Sequence, residues 1–312
     1  MPPPGAVQGR VPGPLGLNVL GDVLRTQIGG GVTPIAPPGI ITEPEPLFKS
    51  RAVLKNVPFS LFDSGGKPSP GDVTQGELAN CPLAALLVAI SHTAPGTITS
   101  MISEFPAHAF SARRGDQVAF VTNRIFLVRF RKRTLWVTTP LYVYGTADRA
   151  YAHSPNGTAW MSYIEKGYAI WKGGSPDTLS FPGSYANLND TSSGPDVNTV
   201  MEDLVGPPDI ADLANKKLFK GGQEVTLTDA LLIQMLTNGS RFPTVAGTLD
   251  ANIPVKDIAA HHTYAVLGFA GGQVQLRNPW NDPSKTFGQA FSLSLTDFKR
   301  SFSAVLQSRP SP

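Results

Sequence analysis

The 312-residue chain contains one cysteine, Cys81, which excludes an internal disulfide and a cysteine-rich metal site. Two interpretations of Cys81 remain open from composition alone. A free cysteine is most often a small buried side chain of the core, and the alternative is a reactive thiol. The residues elsewhere in the chain have to decide between them.

The chain also lacks long hydrophobic runs. No stretch of about 18 consecutive apolar residues occurs, which predicts that no segment spans a membrane. The N-terminus has no basic region followed by an apolar region, so a Sec-type secretory signal is not expected. We therefore expect a cytoplasmic protein or one that is exported by a signal-less route.

An excess of one charge is missing as well, because the formal net charge is only +3. The one basic cluster, residues 129–133, follows an apolar stretch and indicates a solvated hairpin tip. A nucleic-acid surface would need more positive charge over a longer surface. We expect no nucleic-acid partner.

Proline and glycine are concentrated at the N-terminus, in residues 1–47. Such a composition buries too little apolar surface to offset its ordering entropy, so these residues are predicted to form a flexible arm. The arm is either a disordered tail or a propeptide or docking arm. A folded domain is predicted over residues 48–308, followed by a disordered tail at 309–312.

The stretch around Cys81 changes from a polar loop to a run rich in alanine and leucine, which predicts a helix from Cys81 to His92. Pro82 falls in the first helical turn, where its missing N–H costs nothing, and Pro95-Gly96 are expected to end the helix. The helix is apolar nearly all round and should be buried. Cys81 therefore lies at a helix N-terminus, where a thiolate is favoured.

The remaining segments divide into helical and β patterns. Short strands are predicted between residues 117 and 144, and a helix from Trp160 to Trp171 with Glu165-Lys166 at its solvated edge. Residues 175–199 are predicted to be mostly loop, and short helices follow at 200–205 and 227–236. Strands are predicted at 244–248, 263–269 and 273–278, with Gly271-Gly272 as the hairpin turn of the last two.

This hairpin brings two polar residues together, because His262 begins one strand and Asn278 ends its neighbour. The imidazole of His262 is a candidate base for Cys81, and the amide oxygen of Asn278 is a candidate acceptor for the ring N–H. The backbone N–H of Cys81 and the side-chain amide of Gln75 are candidate donors to a developing oxyanion. These four residues are the components of a cysteine nucleophile site.

Four blocks of the chain resemble the core of the calpain family of cysteine peptidases, in that family's order. Residues 75–85 resemble its Q-G-x-L-G-D-C-W-L-L-A-A pattern, and residues 262–266 resemble its H-A-Y-S-V. Residues 277–280 match its R-N-P-W, and residues 152–169 are similar to its V-H-S … F-W … E-K-A-Y-A segment. The resemblance covers about residues 52–306.

The resemblance implies an α+β, papain-like two-lobe fold with the active site between the lobes. The helical lobe would span about residues 48–205 and carry Cys81 as nucleophile. The β lobe would span about residues 206–308 and carry His262 as general base and acid, with Asn278 orienting it. Gln75 would be the oxyanion donor, Trp280 would shield the His262–Asn278 pair, and the adjacent His261 would be a rim residue.

Two departures from the family pattern bear on function. Pro82 replaces the aromatic residue that follows the nucleophile, so contacts with substrate should differ. Asp72 matches one calcium ligand of the family, but Thr158 stands at the position of its glutamate partner, and the second acidic loop is not found. Because calcium needs several hard oxygen ligands, we expect activity without calcium, other metals or cofactors.

Three functions remain open. The first is an endopeptidase acting on protein substrates and, through self-cleavage, on residues 1–47. The second is an acyl-transfer protein of the same fold, such as a deamidase or transglutaminase. The third is a non-catalytic scaffold. The complete set of Cys81, His262, Asn278 and Gln75 argues against the scaffold, and the R-N-P-W match at residues 277–280 favours the endopeptidase over acyl transfer.

Overall fold

A computed structural model describes residues 40–47, 52–56, 59–114, 117–144, 148–173, 183–189 and 196–308. Most of the predicted arm, residues 1–39, lies outside the described residues, as does the predicted tail at 309–312. The same is true of residues 174–182 and 190–195, which make up most of the loop predicted at 175–199.

The described helices are α1 (Cys81–Thr93), α2 (Pro95–Met101), α3 (Trp160–Gly173), α4 (Val197–Leu204), α5 (Asp229–Asn238) and α6 (Leu295–Ser301). The strands in the first part of the chain are β1 (Ile40–Thr42), β2 (Val53–Lys55), β3 (Ile102–Arg114), β4 (Gln117–Arg129), β5 (Thr134–Thr138), β6 (Leu141–Tyr144) and β7 (Asp148–Arg149). Those in the second part are β8 (Pro208–Asp212), β9 (Lys217–Lys220), β10 (Gln223–Thr226), β11 (Thr244–Thr248), β12 (Thr263–Ala270), β13 (Gln273–Arg277), β14 (Ala290–Ser294) and β15 (Phe302–Ser308).

The strands of the described residues form three sheets. The largest has the antiparallel order β10-β9-β8-β15-β11-β12-β13-β14, and all of its strands come from residues 208–308. The second has the order β1-β3-β4-β5, in which β1 pairs with β3 in parallel, and the third has the order β2-β6-β7. Helices combined with mainly antiparallel sheets confirm the predicted α+β class.

Helix α1 lies in the larger of the two hydrophobic clusters found among the described residues. Its residues from Cys81 to Ser91 are all buried, as the apolar sequence predicts. The cluster includes Val245 and Ala265 of the large sheet, so α1 packs on one face of that sheet. Tyr264 precedes Ala265 in β12 and belongs to the second cluster, which includes residues of α5 and α6. The two side chains lie in different clusters because successive side chains of a strand point to opposite faces.

The hairpin of β12 and β13 forms as predicted. Gly271 and Gly272 both have positive φ, at 57° and 75°, which a tight turn between antiparallel strands requires. The basic cluster at 129–133 is confirmed as a hairpin tip between β4 and β5, where Phe130 N–H donates to the Arg133 carbonyl at 2.7 Å.

Two features after α1 were not predicted. Pro95 ends α1 as expected, but it also begins α2, because proline is well accommodated at the first position of a helix. Strand β3 was not predicted from the sequence. It contains Pro106, and the register of β3 against β4 shifts between Phe105 and His108, so this proline lies at an irregularity where a ladder bond is not required.

The last part of the predicted arm, residues 40–47, is docked on the fold. Residues 40–42 form β1, and the Tyr142 hydroxyl donates to the Pro44 carbonyl at 2.9 Å. Glu43 is buried and forms an ion pair with Lys166 of α3 at 2.7 Å. The structure therefore includes these residues in the folded domain.

The predicted solvated edge of α3 is wrong, since Glu165 and Lys166 are 1% and 0% exposed. The Lys166 ammonium is satisfied by Glu43 and by the carbonyls of Thr138 and Pro140, at 3.2 and 2.6 Å. Sequence periodicity missed this because the partners lie on other segments.

Among the described helices, no single one has the length and apolar composition needed to cross a membrane. Only the sharply bent pair of α1 and α2 meets those criteria together.

Candidate active site

Cys81 is the first residue of α1 and is 6% exposed. The carbonyl of Asn80, which precedes it, accepts a hydrogen bond from Ala84 N–H at 3.2 Å and closes the first turn. Pro82 has no N–H that would need a partner at this position. The positive end of the helix dipole favours the thiolate form of Cys81.

His262 and Asn278 form the hydrogen bond that the predicted hairpin suggested. His262 Nε2 lies 3.0 Å from Asn278 Oδ1, which also accepts from Trp280 N–H at 3.0 Å. The amide nitrogen of Asn278 donates to the Phe287 carbonyl at 2.9 Å, which fixes the orientation of the amide. Because Oδ1 only accepts, Nε2 carries the hydrogen, and Nδ1 is the basic nitrogen of His262.

The pair is shielded from water. His262 and Asn278 are 6% and 1% exposed, and the Trp280 ring lies 4.4 Å from the His262 ring. Lys285 lies over the Trp280 ring at 5.1 Å. Burial lowers the pKa of His262 to about 4, although the hydrogen bond to Asn278 opposes this shift. The imidazole is therefore neutral near pH 7, the form that a general base needs.

Thr248, at the end of β11, holds the backbone of His262, and the sequence did not indicate this role. The Thr248 hydroxyl accepts from His262 N–H at 2.9 Å, and Thr248 N–H donates to the His262 carbonyl at 2.9 Å. The contact depends on which strands become neighbours, for which the local sequence around Thr248 carries no signal.

Helix α1 packs against strand β12, and Cys81 and His262 lie at similar distances along these two elements from one shared contact. His92, near the end of α1, has Nε2 3.0 Å from the Leu267 carbonyl of β12. Moving back from this contact to Cys81 along the helix, and to His262 along the strand, covers about 16 Å in each case. The pKa of Tyr264 is raised to about 12, mainly by burial and further by the Cys81 thiolate. The Tyr264 ring lies 4.9 Å from the His262 ring.

Gln75 lies next to the Asn278 loop. Its backbone N–H donates to the Pro279 carbonyl at 2.8 Å, and its side-chain nitrogen donates to the Leu78 carbonyl at 2.5 Å. An amide nitrogen carries two hydrogens, so the bond to Leu78 orients the group and uses only one of them. The second can serve a developing oxyanion.

His261 points away from this group of residues. It has a left-handed backbone, with φ of 49°, and its side chain is 65% exposed. Its Nδ1 lies 3.1 Å from Asp250 Oδ1 on the surface. The geometry therefore favours His262 over His261 as the partner of Cys81.

Comparison with known proteins assigns no family to this chain. No protein-family model matches it, and no curated protein matches it either. The chemical interpretation of the site depends on the geometry of Cys81, His262, Asn278 and Gln75 themselves.

Asp72 was the one residue matching a calcium ligand of the resembled family, and its carboxylate is engaged by N–H donors. It is 1% exposed and accepts from Ser69 N–H at 2.8 Å and from Asn156 Nδ2 and Trp160 Nε1, both at 3.2 Å. Among the described residues, no group of three or more histidine, cysteine, aspartate or glutamate side chains is arranged to hold a metal ion. Asp72 anchors the segment before Gln75 through these hydrogen bonds.

Glu165 of α3 contacts the residue that precedes the nucleophile. Its carboxylate accepts from Asn80 Nδ2 at 2.6 Å and from Ala152 N–H at 2.9 Å. It also lines a small cavity with Tyr142, Tyr151 and Tyr185. Burial raises the pKa of Glu165 to about 7, although the two hydrogen bonds oppose this.

The raised pKa of Glu165 predicts a pH-dependent stability that Glu165→Gln removes. Between pH 4.5 and 7 the unfolded chain loses this proton and the folded chain keeps it. The stabilisation is fully present below pH 4.5 and is lost as pH rises through 7, by about 3 kcal/mol in total. Relative to wild type, the free energy of unfolding of the variant should therefore rise by about 3 kcal/mol between about pH 4 and about pH 8, measured by urea denaturation.

Glu202→Gln is the matched control, because Glu202 pairs with Lys132 at the surface and its side chain is 39% exposed. The free energy of unfolding of this control variant should change with pH as that of wild type does. An equal pH dependence in wild type and Glu165→Gln would show that Glu165 does not titrate in this range.

Proposed function

We propose that the protein is a cysteine endopeptidase with a papain-like two-lobe fold, similar to the calpain core. His262 Nδ1 takes the proton of the Cys81 thiol as the sulfur attacks the carbonyl carbon of a peptide bond, and Gln75 and the Cys81 backbone N–H stabilise the resulting oxyanion. The His262 imidazolium then delivers that proton to the leaving amine, which departs and leaves an acyl-thioester on Cys81. His262 Nδ1 then takes a proton from water, whose oxygen attacks the thioester and releases the acid and the thiol.

The observation that carries this proposal is the fixed polarity of the His262–Asn278 hydrogen bond. Two further bonds hold the Asn278 amide, so His262 presents Nδ1 as its base in one tautomer. A histidine with a purely structural role has no need of such an arrangement. The adjacent Trp280 ring supports the same conclusion, because it excludes water that would compete for the hydrogen bond.

The arrangement of the elements supports the two-lobe interpretation. Helix α1 supplies Cys81 at one side of the site, and the large sheet supplies His262 and Asn278 at the other. A protein substrate would bind along the boundary between them. Pro82 in place of an aromatic residue would leave the substrate groove near Cys81 without an aromatic wall.

The test compares wild type with Cys81→Ala during incubation with a denatured protein, once with calcium and once with a chelator. Wild type should produce substrate fragments in both conditions, because Asp72 is satisfied by N–H groups and needs no ion. Cys81→Ala should produce none. Mass spectrometry of the products identifies the bonds that are cut.

Other outcomes support other functions. A gain of about 1 Da without fragments would identify a deamidase, and crosslinked substrate would identify a transglutaminase, since both share the Cys–His chemistry. Products that depend on calcium would contradict metal-free activity, and no products from either protein would favour a scaffold. Loss of mass from the N-terminal part of wild type alone would identify self-processing.

A further inference from the structure

The loop after β13 contacts the segment that carries Gln75. Asn281, three residues after Asn278, has a left-handed backbone with φ of 54°. Its side-chain nitrogen lies 3.1 Å from Thr74 Oγ1 and 3.5 Å from the Gly71 carbonyl. These bonds join two parts of the chain that are more than 200 residues apart.

The other end of the Asn281 amide is also held. Its Oδ1 accepts from Arg277 Nη2 at 2.8 Å and from Gln289 Nε2 at 3.1 Å. Both donors belong to the same side of the site as Asn278, whereas Thr74 precedes Gln75. An amide is the group that accepts at one end and donates at the other, so this position requires more than a small left-handed residue.

The segment bearing Gln75 is held from its opposite side as well. Thr74 N–H donates to the His153 carbonyl at 2.8 Å, and His153 N–H donates back at 2.9 Å. Gly76 packs so closely on Tyr151 that an added Cβ would lie 2.4 Å from its carbonyl carbon. The segment therefore cannot shift without breaking contacts, and Asn281 sets its position relative to the Asn278 loop.

We infer that Asn281 is a positioning residue that holds Gln75 in register with His262 and Asn278. This inference rests on the proposed function. The oxyanion donor Gln75 and the base His262 come from different segments of the chain. Gln75 acts on the carbonyl oxygen and His262 on the leaving amine of the same peptide bond, so their relative position must be kept within a fraction of an ångström. The hydrogen bond from Gln75 N–H to the Pro279 carbonyl joins the same two segments through the backbone. Asn281 joins them through its side chain.

The test measures peptide-bond cleavage by Asn281→Gly and Thr74→Val. Glycine retains the left-handed backbone without strain and removes the amide, and valine removes the hydroxyl partner. Each variant should lower kcat by roughly 10- to 100-fold with little change in KM, because a displaced donor costs transition-state stabilisation. The double variant should lose no more than Asn281→Gly alone.

A second readout separates positioning of Gln75 from a general disturbance of the fold. The pH profile of Cys81 alkylation by iodoacetamide reports thiolate formation, which does not involve Gln75. This profile should be unchanged in Asn281→Gly. Asn252→Gly is the matched control, because Asn252 is exposed and also left-handed, with φ of 56°, and it should keep wild-type kcat.

The outcomes distinguish this inference from the function on which it rests. If wild type is active and folded Asn281→Gly has the same kcat, the positioning role is overturned and the peptidase remains. If kcat and the alkylation profile change together, Asn281 supports the fold and not the position of Gln75. If wild type cuts nothing, both the proposed function and the positioning role that depends on it are overturned.

Discussion

Cys81→Ala, His262→Ala and the double variant should all lose kcat by a similar factor, on the order of 10⁴- to 10⁶-fold. The two residues act as one unit, since His262 Nδ1 assists only a reaction in which Cys81 is the nucleophile. Once either is removed, the other has nothing to act on, and the losses do not multiply. Initial rates on a fluorescently labelled, denatured protein would measure the three variants against wild type.

His261→Ala is the control for these variants. His261 is adjacent in sequence but is exposed and paired with Asp250 on the surface. Its replacement should leave kcat within about twofold, as surface changes away from a site usually do. Losses that multiply in the double variant would show that Cys81 and His262 act independently, and a large loss in His261→Ala would show that the wrong histidine has been assigned.

Gln75→Ala should lower kcat by about 10²- to 10³-fold with little change in KM, the usual effect of removing one oxyanion donor. The oxyanion exists in the transition state and not in the bound substrate. Loss of the Gln75 donor therefore lowers the rate and leaves substrate binding unchanged. The bond from the Gln75 amide to the Leu78 carbonyl orients the group before substrate arrives. Steady-state kinetics on a peptide cut by wild type separate the two constants.

Gln75→Glu tests the same role with a side chain of nearly equal size. A carboxylate fills the space but donates no hydrogen bond and repels the oxyanion, so kcat should fall at least as far as in Gln75→Ala. Gln275→Ala, at an exposed position of β13, should behave as wild type. A rise in KM with unchanged kcat would show that Gln75 binds substrate and is not an oxyanion donor.

Sequence reasoning succeeded where the signal is local. The helix that begins at Cys81 follows from the density of alanine and leucine, and the β12–β13 hairpin follows from Gly271-Gly272 between two β patterns. The hairpin in turn predicts that His262 and Asn278 lie at the same end of two adjacent strands, and their side chains form a hydrogen bond there. These features span few residues, and side-chain period or turn chemistry determines them.

It failed where a segment depends on distant partners. Strands β8 to β10 were not predicted, because many of their side chains are exposed and show no alternation of apolar and polar residues. Residues 40–47 were predicted to be flexible from their proline and glycine content, yet Glu43 is buried against Lys166. A composition that does not form a core by itself can still dock on one formed by the rest of the chain.

The sequence by itself therefore determined the α+β class, the position of Cys81 at the start of a buried helix and the pairing of His262 with Asn278. Only the tertiary structure decided that Glu165 meets Asn80, that Thr248 holds the backbone of His262 and that Asn281 reaches Thr74. The physical reason is the range of the interactions. Helix and hairpin patterns act over a few residues, whereas these contacts form only after the packing of whole sheets and helices brings remote segments together.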